Sequence, residues 1–239
     1  MSQRLLQHLE TAQYGFRKNY HINDAIFNLL NNITNLLDQR KHVGGIFCDL
    51  TKAFDCVNHE TLLTKLYYYG VKGLCLSWFK SYLEHRKQKT CLSSNTSDIE
   101  TSSNWEEVGS GVPQGSVLGP LLFLIYLNDL PYGFHPQAIP VLYADDTSVL
   151  LYADSEAELQ SKMNQALDYM TEWFSVNSLV LNMGKTNVVK FTSYNRQTGN
   201  FRIIYQNKLL SGVNNIKLLG LQIDKNLNWK TQYTTSCLS

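Results

Sequence analysis

Apolar and polar positions follow two rhythms along the chain. From Asn23 to Arg40, in "NDAIFNLLNNITNLLDQR", Ile26, Leu29, Leu30, Ile33, Leu36 and Leu37 recur at helical spacing, which predicts an amphipathic helix behind a capping Asn-Asp start. "HETLLTKLYYYG" predicts a second helix closed by Gly70, and "GLCLSWFKSYLEHRK" a third. "SVLGPLLFLIYLNDLP" reads as a buried helix over Ser116–Leu130, with Pro120 in its first turns. "SEAELQSKMNQALDYMTEWFSVNS" predicts a long amphipathic helix over Ser155–Val176, capped by Ser155. Strand-like runs lie between these segments. "VGGIFCDL" ends at Asp49, and "PVLY" and "TSVLLYA" are joined by a short turn. "KTCLSSNTSDIETSSNWEEVGSG" reads as short exposed strands and turns, and from Leu179 onward the chain alternates in β fashion with Asn and Gly turns. No repeat or linker interrupts the pattern, so one continuous α+β body is expected.

Composition narrows the class. The 239 residues are 44% apolar and 17% charged, which is globular and excludes disorder. A net charge of +1 neither demands nor excludes a nucleic-acid partner. The five cysteines are scattered without a CxxC pair and the start is polar, which favours a reducing, intracellular setting, nucleus and cytoplasm both open. The longest apolar run, "PLLFLIYL", is too short to span a bilayer, and no membrane partner is expected. Lys80, His85, Arg86, Lys87 and Lys89 form the densest basic patch, which suits either a phosphate backbone or a solvated helix end. Trp78, Trp105, Trp173 and Trp229 are expected to pack in the core, with base stacking the other reading.

The candidate chemistry lies in carboxylates at strand ends. Asp145 and Asp146 occupy the turn of "YADDTSV", and Asp49 closes another apolar strand. Each acid read singly is also an ordinary turn residue. If the two strands are neighbours in one sheet, the three acids meet at one edge and repel each other unless protonated or neutralised. Oxygen-only donors suit Mg²⁺ or Mn²⁺ rather than Zn²⁺. Two such ions about 3.5–4 Å apart would serve an in-line phosphoryl displacement.

In that context "YADD" resembles the hallmark box of reverse transcriptases. Other segments resemble that family's motifs in order: "QYGFRKNY" (Gln13–Tyr20), "FCDLTKAFDCVNH" (Phe47–His59), "GVPQGSVLGPLLFLIYLNDLP" (Gly111–Pro131), "LVLNMGKTNVVKF" (Leu179–Phe191) and "IKLLGLQIDKNLNWK" (Ile216–Lys230). "DLTKAFDCVNH" and "PQGSVLGPLLF" are most similar to non-LTR, LINE-type retrotransposons of the jockey kind. The resemblance implies an α+β, right-hand polymerase palm: an antiparallel sheet backed by the helices Ser155–Val176 and Ser116–Leu130. It implies partial fingers over 1–42, a palm over 43–239 with a fingers insertion around 85–110, and a missing thumb. A single reverse transcriptase domain would run over about 13–230, with endonuclease and thumb regions in the full-length element.

The same resemblance assigns residues. Asp49 and Asp145, supported by Asp146, would hold two Mg²⁺ ions, with Mn²⁺ as the alternative, and the backbone carbonyl of Leu50 would be a further ligand. Phe54 would sit beneath the sugar of the incoming nucleotide, where its bulk disfavours a 2′-hydroxyl. Gln114 and Gly115 would line the nucleotide and template pocket, and Arg17 would meet the triphosphate or the template. Lys185 would approach the leaving pyrophosphate as a general acid. Leu219 and Gly220 would shape the primer grip. The implied partners are an RNA template, a DNA primer and deoxynucleoside triphosphates. The implied activity is RNA-directed DNA polymerisation, and the competing reading is an inactive retroelement remnant with at most weak nucleic-acid binding.

Overall fold

The computed structural model describes residues 9–94, 97–192, 202–205 and 208–228. Helix α1 (Ile22–Asp38) leads into strand β1 (His42–Cys48). The cap of α1 is His21, not Asn23: the His21 N–H donates to the Asp24 carboxylate at 2.6 Å, which draws Asn23 and Asp24 into the first turn. A 3₁₀ turn over Ala53–Asp55 precedes α2 (His59–Tyr68), whose cap Asn58 accepts the Thr61 N–H at 2.9 Å. Helix α3 (Leu74–Leu83) stops short of the expected Lys87, because Glu84 is extended and His85 takes a positive φ.

Strands β2 (Lys87–Gln88), β3 (Cys91–Ser94), β4 (Ser97–Ser102) and β5 (Glu106–Glu107) form two ribbons, β2 with β5 and β3 with β4. Helix α4 (Gly119–Leu127) is shorter than expected at both ends. Before it, Ser116 Oγ accepts the Gly119 N–H (2.9 Å) and donates to the Pro113 carbonyl (2.7 Å), closing a separate turn. After it, Leu130–Gly133 tightens into a 3₁₀ turn. Strands β6 (Ala138–Tyr143) and β7 (Asp146–Ala153) form a hairpin, followed by α5 (Glu156–Val176). Ser155 caps α5 by accepting the Glu158 N–H. The described part ends with β8 (Asn187–Phe191), β9 (Arg202–Tyr205), β10 (Lys208–Ser211), β11 (Asn215–Leu218) and β12 (Leu221–Asp224). Among the described residues no helix is long and apolar enough to cross a membrane.

The central sheet has the order β6-β7-β1-β8, every neighbour antiparallel. Strand alternation sorts its side chains onto two faces. Ile46, Cys48, Val149 and Leu151 face a core built from α2, α4 and α5, with Leu62, Leu66, Leu122, Phe123, Leu167 and Met170 fully buried. Val43, Phe47, Leu150 and Val189 face the other way, against Ala25, Leu29 and Ile33 of α1 and Ile216 and Ile223 of the β11–β12 hairpin. A sheet covered on both faces is a stiff platform, since each buried aliphatic or aromatic side chain contributes about 1.5–3 kcal/mol. Behind it, the Lys65 ammonium ties three helices together. It donates to the Tyr126 carbonyl (2.6 Å), pairs with Asp129 (2.7 Å) and lies 4.5 Å from the centre of the Trp173 ring. Burial lowers its pKa, and Asp129 opposes that shift.

Candidate active site

The carboxylates stand at the end of the β1–β7 ladder. Pairing runs without a break from His42 opposite Ala153 to Cys48 opposite Thr147. Asp49 is the next residue beyond Cys48, and Asp146 the one before Thr147. Both carboxylates line a cavity of about 430 Å³ with Phe47, Lys185 and Lys217. Asp145 is the second residue of the two-residue corner between the paired Tyr143 and Asp146. The pKa of Asp146 is pushed up to about 6, first by burial, then by the charge of Asp145, then by that of Asp49. Asp146 therefore senses both of the other acids.

Asp49 has a local counter-ion. Lys185 Nζ lies 3.2 Å from its Oδ2, and Asn182 Nδ2 donates to the same oxygen at 3.4 Å. Both partners come from the loop before β8, which is stitched to Asp49 through its backbone. The Asn182 N–H donates to the Asp49 carbonyl and the Thr51 N–H to the Val180 carbonyl, each at 2.9 Å. Leu50 sits opposite Leu181 between those two bonds, so its own carbonyl is outside that exchange. The neighbouring thiol of Cys48 is buried and pushed up to about 12, which removes it as a nucleophile.

The donor chemistry fits a hard divalent cation: the three carboxylates offer oxygen donors only, and burial together with the charges of Asp145 and Asp49, which raise Asp146, is what such an ion offsets. Among the described residues no three His, Cys, Asp or Glu side chains already converge into a cage.

The corner is supported by a segment that the sequence pattern marks only as part of a fingers motif. Gln13 bridges Leu142 in parallel, with the Tyr14 N–H donating to the Leu142 carbonyl and the Leu142 N–H to the Ala12 carbonyl, both at 2.8 Å. The Gln13 side chain reaches the peptide N–H of Ala144. A side chain on Gly15 would collide with the Ala144 nitrogen, so this close approach requires glycine. The sequence holds two signals of this contact, a lone Gln and a Gly within "QYGFR", but neither has a local period. Arg17, from the same segment, donates to the carbonyls of Glu10 (2.7 Å) and Gln13 (2.9 Å) and lies over the Tyr20 ring.

Phe54 is half-buried in the 3₁₀ turn that follows β1. Its ring stacks on Phe123 at 4.3 Å and meets the edge of exposed Phe16 at 6.4 Å. The segment before α4 docks on this turn: the Val112 N–H donates to the Phe54 carbonyl (2.9 Å) and the Gly111 N–H to the Val57 carbonyl (2.8 Å). Gln114 is exposed and donates to Asp55 at 2.9 Å. It lines a second cavity, of about 660 Å³, with Lys52, Arg86 and Glu107, rather than the one holding Asp49. Gly115 beside it has φ +79. Leu219 and Gly220 form the β11–β12 corner, while Ile216, Lys217 and Leu218 of β11 reach the Asp49 cavity.

The basic patch is partly answered by acids: Lys80 pairs with Glu84 (3.7 Å) and Lys87 with Glu107 (3.9 Å). Two tryptophans depart from the expected core packing. Trp78 is 51% exposed and stacks on Tyr82, and Trp105 is 62% exposed, with the Lys89 ammonium over its ring. Helix α3 buries Phe79 and Leu83, which turns Trp78 onto its flank. Trp173 is half-buried, and Trp229 lies outside the described residues.

A family model described as "Reverse transcriptase (RNA-dependent DNA polymerase)" matches residues 1–223. The chain is similar to the RNA-directed DNA polymerase from mobile element jockey of Drosophila funebris, at 28% identity over 98% of this chain and 25% of the relative. It is also similar to the probable RNA-directed DNA polymerase from transposon BS of Drosophila melanogaster, at 29% identity over 92% of this chain and 24% of that relative. It thus spans about a quarter of the length of these relatives. Among solved structures, apo telomerase from Candida tropicalis superposes with a TM-score of 0.62 at 12% identity, over 95% of this chain and 39% of the telomerase. The same enzyme in complex with a fragment of telomeric RNA gives 0.61 at 11% identity, over all of this chain and 41% of that one. At such identities the likeness concerns the fold, and the antiparallel sheet backed by α4 and α5 is the polymerase palm.

Proposed function

This chain belongs to the reverse transcriptase (RNA-dependent DNA polymerase) family, and from that membership we propose that it carries the nucleotidyl-transfer site of a non-LTR element's RNA-directed DNA polymerase. The substrates would be an RNA template, a DNA primer and deoxynucleoside triphosphates. The observation that supports this reading most is the β1–β7 pairing, which brings Asp49 to the Asp145–Asp146 corner on a sheet packed from both sides. Reacting groups misplaced by about 1 Å can lose on the order of 100-fold in rate, so a stiff platform matters.

Asp49, Asp145 and Asp146, with the Leu50 carbonyl, would hold the divalent ions. Bound there, a pair of Mg²⁺ ions would activate the primer hydroxyl and stabilise charge on the leaving phosphate. The remaining work falls to the chain's own residues. Phe54, held from below by Phe123, presents a ring edge that would exclude a ribose 2′-hydroxyl. Lys185, 3.2 Å from Asp49, would donate a proton or a hydrogen bond to departing pyrophosphate. Gln114 and Gly115 would border the template base, and Arg17 would brace the segment behind the corner or meet phosphate. Leu219 and Gly220 would steer the primer end. Fingers would comprise residues 1–42 and an insertion around 85–110, on a palm formed by the remainder.

Primer extension on an RNA template with Mg²⁺ tests the reading. Wild-type protein is expected to add deoxynucleotides, and Asp145→Ala to do so on the order of 100-fold more slowly or worse. Equal extension by the variant would overturn the assignment. A folded wild-type protein that extends no primer would instead mark an inactive remnant.

A further inference from the structure

Gln13 stands 131 positions before Ala144, yet its side chain is 3% exposed and buried against the corner that carries the acids. Its Oε1 accepts two backbone N–H groups, from Gly15 at 2.8 Å and from Ala144 at 3.2 Å. Ala144 is itself buried and has φ +56, a region that disfavours residues with a Cβ. A buried amide N–H in a strained corner needs an acceptor, and no local side chain supplies one. The amide oxygen of Gln13 does so and fixes the Tyr143–Ala144 peptide, one residue before Asp145.

The rest of the amide indicates why this residue is glutamine. Gln13 Nε2 is buried and has no hydrogen-bond partner among the described residues. An unpaired buried donor is unfavourable, so the side chain is retained for its oxygen. Glutamate would offer the same acceptor without the orphaned donor, but it would add a fourth negative charge at a corner where Asp145 and Asp49 already raise Asp146. The backbone on either side is locked as well, by the Gln13–Leu142 bridge and by the contact of Gly15 with Ala144.

Resting on the polymerase reading, we infer that Gln13 is a positioning residue for the reaction. Through Ala144 it holds Asp145 and Asp146 in their working orientation, and it touches neither substrate nor ion. A residue acting this way limits the maximal rate and leaves nucleotide affinity nearly unchanged.

The test uses the full chain carrying Gln13→Met, which keeps the length and removes the acceptor, beside Gln13→Glu, which keeps the acceptor. Hydrogen–deuterium exchange is read across Ala144–Asp146 and across β1, β8 and α5, together with primer extension at saturating and limiting deoxynucleotide. For Gln13→Met, exchange at the corner is expected to rise about tenfold with the rest of the sheet unchanged. Its rate at saturating nucleotide should fall at least about tenfold while KM stays within about threefold. Gln13→Glu should keep the corner protected. Should Gln13→Met fail to fold, Gln13→Asn, one methylene shorter, supplies the same readouts.

Unchanged exchange at the corner would overturn the inference. So would exchange that rises equally over the whole sheet, or a loosened corner with an unaffected maximal rate. If wild-type protein extends no primer, the polymerase reading fails, and the exchange arm still decides whether Gln13 holds the corner.

Discussion

Two two-residue hairpin corners lie wholly within the described residues, and each puts a non-glycine residue in the left-handed region at the first position: Ala144 at φ +56 and Leu219 at φ +49. They differ at the second position. Leu219 is succeeded by Gly220 at φ +90 with open space around it, so the β11–β12 corner is made by its own residues. Ala144 is succeeded by Asp145, which keeps a negative φ, and then by a second acid. The β6–β7 corner is supported by a segment remote in sequence, through Gln13 and Gly15. One turn is local chemistry. The other gives its best positions to charged groups and borrows its rigidity from elsewhere, as strained functional sites do.

Substitutions can break that contrast, the strongest being Gly15→Val. The new side chain would meet the Ala144 nitrogen and the Tyr143 carbonyl carbon, so a loss of about 2–3 kcal/mol in urea unfolding is expected, with the hairpin displaced. A variant as stable as wild type would mean that the corner does not lean on this segment. Gly220→Ala should lose about 1 kcal/mol, from backbone conformation alone, since nothing stands within 4 Å of the added carbon. It should leave exchange at Ala144 untouched, and any change there would show that the two corners are coupled.

The smallest effect sharpens the electrostatic side. With Asp146 pushed up to about 6 in the folded chain, the native state binds the proton more tightly than the unfolded state does. Its contribution to stability is then fully present below about pH 4 and lost as pH rises through about 6. Asp146→Asn should therefore match wild type near pH 4 and exceed it at pH 7, without divalent ions. Because the group is half-buried and screened by solvent, the gain expected is on the order of 1 kcal/mol. Denaturation midpoints at the two pH values measure it, and identical differences at both would contradict the burial of Asp146 beside two other acids.

Periodicity makes much of this molecule legible. The spacing of Leu29, Ile33 and Leu36 in α1 and the Ser155 cap of α5 are local features, and both elements stand within a residue or two of where they are expected. The strand ending at Asp49 and the "YADD" hairpin are readable for the same reason. The features that periodicity misses depend on partners far away in sequence. Gln13 has no meaning until Ala144, 131 positions on, is beside it. Trp78 is expected inward because tryptophan usually packs, but its flank position beside Phe79 leaves it outside. The N-terminal end of α4 is lost to side-chain turns at Ser116 that compete with helix in a way no apolar pattern reports.

The Lys185 ammonium, 3.2 Å from Asp49, makes occupation of that carboxylate a competition. Any cation arriving there is a rival for a seat already held by a tethered amine. The amine is 70% exposed and Asp49 36%, so the grip is weak, worth about 1 kcal/mol at most, and eviction is easy. The displaced lysine remains leashed to the loop before β8, a positive charge set free at the moment the newcomer settles.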